Sequence, residues 1–266
     1  MKVLLLALLI ACGDKSTTGP APIRNTATSG PTDALPADDA MGELALVPVP
    51  SRDTETWLPV GTGPVLVEGV LREGKGPPPS WLAVDTAGTE TKLSYGKTAQ
   101  LPYGCDSNAM TVNQLEGDAG KLRPGLLWLR PVARAAWTPK AAAIRNGDKV
   151  TPARRDLVIG PARVEVVRTA DKQGVVTIVR DGRMVHQMTF ERSDMEGADN
   201  ATPINLVEGG PGVPVPEAAW TFGSDLLVIV FKVPGYEGLS FKTLVVNAQA
   251  GRAVDSMAMY LYHCAF

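Results

Sequence analysis

Histidine is scarce in this chain: there are two, His186 and His263. A zinc site built from three histidines is therefore excluded within one chain, and few acid–base arrangements remain. Charge of one sign is also lacking. Lys and Arg number 26 against 28 Asp and Glu, for a formal net charge of −2. That balance leaves no basic footprint for nucleic acid and no Lys/Arg cluster to grip anionic lipid. Long apolar runs are missing too. Val3 to Ala11 is unbroken, but its nine residues rise only about 14 Å as a helix, against a hydrocarbon core of about 30 Å. Catalytic signatures are thin. No Gly-x-Ser-x-Gly elbow marks one serine as a nucleophile. "EGGPG" (Glu208 to Gly212) lacks the Lys-Ser/Thr that a phosphate loop requires, so it reads as a plain loop. "SDMEGADN" gathers Asp194, Glu196, Asp199 and Asn200, but not at calcium-loop spacing. It reads as a solvated acidic turn, and neither a metal nor a cofactor is expected.

What is present starts with the leader. Lys2 gives a short positive region, and Val3 to Ala11 has the length of a signal-peptide core. The run ends in Leu9-Ile10-Ala11-Cys12. This tetrad resembles the lipobox of bacterial lipoproteins, a resemblance confined to the first twelve residues. It implies cleavage before Cys12, a diacylglycerol on the Cys12 thiol and an acylated amine. Two or more acyl chains hold a protein firmly at a membrane surface. The expected address is the bacterial cell envelope, extracytoplasmic, with membrane lipid as the first partner. Residues 12–44 carry almost no bulky apolar side chains and are rich in Pro, Gly, Ser, Thr and Asp. Such a segment buries too little surface to offset its ordering entropy. It is expected to act as a flexible tether spanning about 30 Å.

The folded body is expected over 45–266, as one domain or as two packed sub-lobes, 45–135 and 150–266. With Cys12 lipidated, Cys105 and Cys264 form an even pair outside the cytoplasm, where a disulfide is the expected state. It would close a loop of about 160 residues and stabilise the fold by about 5 kcal/mol before strain. Free buried thiols and a reactive thiol are the other two readings of this pair.

The body reads as all-β: antiparallel strands with hairpin connections, in a sandwich or barrel-like arrangement. Val65–Arg72, Trp81–Asp85, Thr91–Tyr95, Met110–Leu115 and Leu126–Leu129 are strand candidates. "ARVEVVRTADKQGVVTIVRDGRMVHQMTFE" gives three strands and two turns, the second at Asp181-Gly182. Residues 226–233, "LLVIVFKV", are apolar on both faces until Lys232, as in a strand covered on both sides. One helix candidate, "ARAAWTPKAAAIRNG", is interrupted by Pro139. Trp57, Trp137 and Trp220 are nearly evenly spaced, but the blocks around them share no pattern.

Strand alternation places Met184, His186, Met188 and Phe190 on one face, with Val185, Gln187 and Thr189 on the other. His186 is thus expected as a rim or core histidine with a satisfied hydrogen bond. His263 and Cys264 face opposite ways on a regular strand, which argues against a Cys–His dyad between them. Tyr260 and Tyr262, with Tyr236, form a candidate carbohydrate surface, although half-buried sheet tyrosine is the plainer reading. Two functions remain. The first is a non-enzymatic, membrane-anchored lipoprotein that binds an envelope protein or glycan, or serves as a structural module. The alternative is an envelope hydrolase with a site near His186 or His263.

Overall fold

Short apolar alternations bounded by turns give a chain of strands. The computed structural model describes residues 35, 42–51, 57–67, 80–102, 109–131, 139–192, 202–235, 238–254 and 259–262. Every pairing between the strands described below is antiparallel. The all-β reading therefore holds, and barrel and sandwich both occur.

The first six strands close a barrel. They are β1 (Glu43–Val47), β2 (Val65–Val67), β3 (Trp81–Asp85), β4 (Glu90–Pro102), β5 (Ala109–Gly117) and β6 (Gly125–Pro131), in the order β1-β2-β5-β4-β3-β6. The β3-β4-β5 meander is followed by β6 returning beside β3, which is a Greek-key step. Trp81, Leu93, Leu115, Leu127 and Leu129 fill the interior with Ala45 and Val47. The alternate side chains Leu44, Leu46, Val84 and Trp128 point outward and enter a second core. Strand β1 is thus apolar on both faces because both faces are covered.

The second half is a sandwich. The outer sheet holds β8 (Ile144–Thr151), β9 (Arg154–Ile159), β10 (Ala162–Ala170), β11 (Gln173–Arg180) and β12 (Arg183–Glu191), in sequential order. The central sheet runs β16-β15-β14-β13-β7, from β7 (Pro139–Ala141), β13 (Val215–Phe222), β14 (Leu226–Pro234), β15 (Gly238–Val246) and β16 (Gly251–Ala253). A last strand, β17 (Met259–Tyr262), also pairs with β15. The β11–β12 hairpin turns at Asp181-Gly182, with φ of 51° and 75°. Positive φ at both central residues matches the twist of the flanking strands.

Strand β14 explains the layering. Leu226, Val228 and Val230 pack toward the barrel, and Leu227, Ile229 and Phe231 toward the outer sheet. Burying each such side chain stabilises the fold by about 1.5–3 kcal/mol relative to exposure. The molecule is therefore barrel, central sheet and outer sheet in sequence, with the central sheet shared. Trp220 on β13 is fully buried at the seam, and its indole N–H donates to the Asp85 carbonyl at 3.2 Å. Where the apolar run of β14 breaks, Lys232 pairs with Glu217 at 3.0 Å and lies 5.7 Å from the ring centroid of Trp57.

Several expectations change. The described part of the helix candidate is strand: Pro139–Ala141 is β7 and Ile144–Thr151 is β8. The cause is tertiary. Strand β13 offers a ladder, down to the Ala142 N–H donating to the Ala219 carbonyl at 2.8 Å, and helix propensity is a weak prior against it. Strand β4 runs well past its expected end at Tyr95, to Pro102, while β5 exceeds its expected bounds by only one residue at the start and two at the end. The extension of β4 packs Ala99 and Leu101 against the core and is zipped to β5 by Thr98–Asn113 and Gln100–Thr111 side-chain bonds. Strand β1 begins at Glu43, two residues before the expected start of the body, and Leu35 packs into the core at the seam.

Candidate functional site

The expected lipid-bearing Cys12 and the expected Cys105–Cys264 bond lie outside the described residues, as do His263, Tyr236 and residues 193–200. Of the three tyrosines, the described side chain is Tyr260, on β17 and 52% exposed. It lies across Gly238, where a Cβ would come within 2.7 Å of the Tyr260 hydroxyl.

His186 is described in full, and it sits where the two sheets meet. The alternation expected for its strand is broken by a bulge: Ile178 pairs with His186, but Val179 pairs with Met184. The extra residue, Val185, turns into the core, while Met184 is left 45% exposed. From His186 onward the expected alternation holds, with Met188 and Phe190 packed inward. The His186 Nδ1–H donates to the Gly251 carbonyl on β16 at 3.0 Å. A carbonyl can only accept, so the neutral ring carries its proton on Nδ1. Burial pushes the imidazole below its ordinary 6.5, and the Gly251 bond opposes this more weakly. No carboxylate among the described residues pairs with this ring. The rim position with a satisfied hydrogen bond is as expected.

The sandwich is closed at the β11–β12 turn, by Arg180 of β11, and open at the Phe190 end of β12. Arg180 is buried, donates to the carbonyls of Ser224 and Asp225, and pairs with the Asp225 carboxylate at 3.1 Å. His186 bridges the sheets one step further along. Beyond it the sheets leave a cleft of about 250 Å3. One wall is Met188, Thr189, Phe190 and Glu191 of β12. The floor is Val233 of β14 with Ser240 and Lys242 of β15, and Gly212, Pro214 and Pro234 close the end.

The walls are held in place before anything binds. Phe190 lies flat over Gly174, where any Cβ would overlap the ring. The 202–214 loop is pinned by the Gly212 N–H to the Pro234 carbonyl at 2.7 Å. Ile204 and Leu206 of that loop plug the adjacent core. Glu191 accepts from Gln173 at 3.3 Å. Lys242 is exposed and makes no ion pair among the described residues. The cleft thus has a mixed lining: apolar side chains at Met188, Phe190 and Val233, a carboxylate at Glu191, and a Lys242 that makes no ion pair among the described residues. Sequence reasoning found Met188 and Phe190 on the right face but missed Lys242. Its signal was a single charge inside the strand "LSFKTLVV".

Comparison adds no relative: no known protein family, no curated protein and no solved structure matches this chain.

Proposed function

We propose that the protein is a lipid-anchored binding module of the bacterial cell envelope. Acyl chains on Cys12 hold it at a membrane surface, the segment behind Cys12 spaces the body from the headgroups, and a Cys105–Cys264 disulfide braces the fold. Binding is assigned to the sandwich, not the barrel. The observation that carries this reading is the preformed cleft between β12 and the central sheet, which sets apolar Met188, Phe190 and Val233 beside a Lys242 that makes no ion pair among the described residues. Such a site suits a ligand with an apolar body and an acidic group. The anchor rests on the Leu9-Ile10-Ala11-Cys12 tetrad.

The test has two parts. Intact mass of membrane-extracted protein should show a diacylglycerol-bearing chain starting at Cys12, and Cys12→Ser should abolish the modification. A photo-cross-linker placed at Lys242 in cells should give a discrete adduct, and one placed at exposed Lys92 of the barrel should not. Equal adducts from both positions would refute a cleft-specific site.

A further inference from the structure

The two free edges of the outer sheet differ. At one edge, β8 loses register with β9 between Asn146 and Val150, and the break carries Asp148 and Lys149. Bulges and charges of this kind keep an edge from recruiting other strands. At the other edge, the irregularity of β12 is confined to its first half. Gln187, Met188, Thr189 and Phe190 then pair in regular register with Thr177, Val176, Val175 and Gly174. This stretch has no charge and no proline. Its outward N–H and C=O groups have no partner among the described residues. An edge in this state is a template for one more strand.

The cleft lies directly beside that template. A strand added next to β12 sits about 4.8 Å away and sends every second side chain to the same face as Met188 and Phe190. That face is the cleft, and its floor carries Lys242. His186, fixed to Gly251 of the facing sheet, closes the other end of the cleft, and the bulge at Val185 ends the regular edge there. About 13 Å of edge, over residues 187–190, remains before Gly212 closes against Glu191.

We propose that β12 accepts an extended segment of a partner protein as a sixth strand of the outer sheet. Two alternate apolar side chains of the segment enter the cleft against Met188 and Phe190, and a carboxylate of the segment meets Lys242. Lys242, with no ion pair among the described residues, argues for an acidic side chain on the segment at that point, away from Glu191 at the end of β12. The unpaired backbone edge argues for a polypeptide, because a glycan offers no matching ladder of donors and acceptors. This assignment rests on reading the cleft as a binding site.

The test uses the full-length chain in detergent micelles. The probe is a short labelled peptide of alternating valine and threonine with one aspartate, set against two controls. One control carries lysine for aspartate, and the other has N-methyl groups along one backbone edge. The aspartate peptide should bind and slow amide exchange over 187–191. The lysine peptide should bind about tenfold more weakly or worse. Lys242→Glu, an exposed change whose folding is checked by its thermal melt, should reverse that preference. Met188→Glu should weaken both peptides.

Failure of every peptide at millimolar concentration would overturn the proposal. So would equal binding of the N-methylated peptide, indifference to Lys242→Glu, or binding without slowed exchange at 187–191. A dimer that protects 187–191 and resists the aspartate peptide would overturn it in favour of a second copy as the occupant. The two readings fail separately. An adduct at position 242 with no peptide binding would leave the binding module and remove the added strand. An unlipidated Cys12 would remove the anchor and leave the strand site.

Discussion

The barrel and the sandwich solve the same problem differently. Both are antiparallel sheets, and each must do something with the backbone groups of its outermost strands. The barrel closes on itself, since β1 pairs with both β2 and β6, and among the described residues the extension of β4 past the ring, residues 94–102, pairs on one side alone. The outer sheet of the sandwich stays open. It guards β8 with a bulge and charge but leaves residues 187–190 of β12 regular and uncharged. A closed sheet makes a scaffold, while an open edge beside a cleft makes a place to bind. The two regions are nonetheless one body, because Trp220 and its neighbours put barrel and central sheet into a single core.

That shared core is the place to break the comparison most severely. Trp220→Ala should cost about 3–5 kcal/mol. Barrel and sandwich should lose stability together in urea, read by exchange of amides in β3 and in β14. Loss confined to the sandwich would mean two independent units. Asp85→Ala comes next. This buried carboxylate accepts the N–H groups of Ala87 and Thr89 at 2.8 Å and of Arg123 at 3.0 Å. Removing it orphans three backbone donors at the barrel end that faces Trp220, and should cost about 3 kcal/mol. Asp85→Asn keeps one acceptor oxygen and should cost less, as denaturant midpoints at constant slope would show.

Mild acid should act on the fold through the rim of the sandwich, at His186. His186 titrates below its ordinary 6.5 in the fold, so the unfolded chain binds the proton more readily. Its contribution is intact above about pH 6.5 and is lost as pH falls through the depressed folded value. His186→Gln should remove that component. A wild-type and variant pair with parallel pH–stability curves would contradict the buried rim position. The smallest effect belongs to the barrel surface. Lys121 and Asp118 pair at 3.1 Å with side chains 74% and 68% exposed, so Lys121→Ala should change stability by under about 0.5 kcal/mol.

Much of this architecture is legible in the residues. The double-faced run at Leu226–Val233 announces a strand covered on both sides, and Asp181-Gly182 announces a tight hairpin. The sequence near residue 140 misleads, because an alanine-rich stretch favours helix until β13 supplies a ladder for it. The extension of β4 is hard to see because Gly96, Lys97 and Thr98 break the apolar alternation before Ala99 and Leu101 resume it. The site is less legible than the fold. His186, Met188 and Phe190 share a face by simple alternation, but the bulge at Val185 leaves no mark in composition. Lys242 lies more than fifty positions from Phe190 in the chain, and only the stacking of two sheets brings them to one cleft.

On the strand-addition proposal, residues 187–190 of β12 are an edge that takes a partner strand, whereas the ring of the barrel is closed by β1. The most direct test is amide exchange on the chain purified in micelles and on the chain in its native membrane. The account predicts equal protection of β3, β5 and β6 in both, with protection over 187–191 rising only in the native membrane. Equal exchange of 187–191 in the two preparations would contradict it.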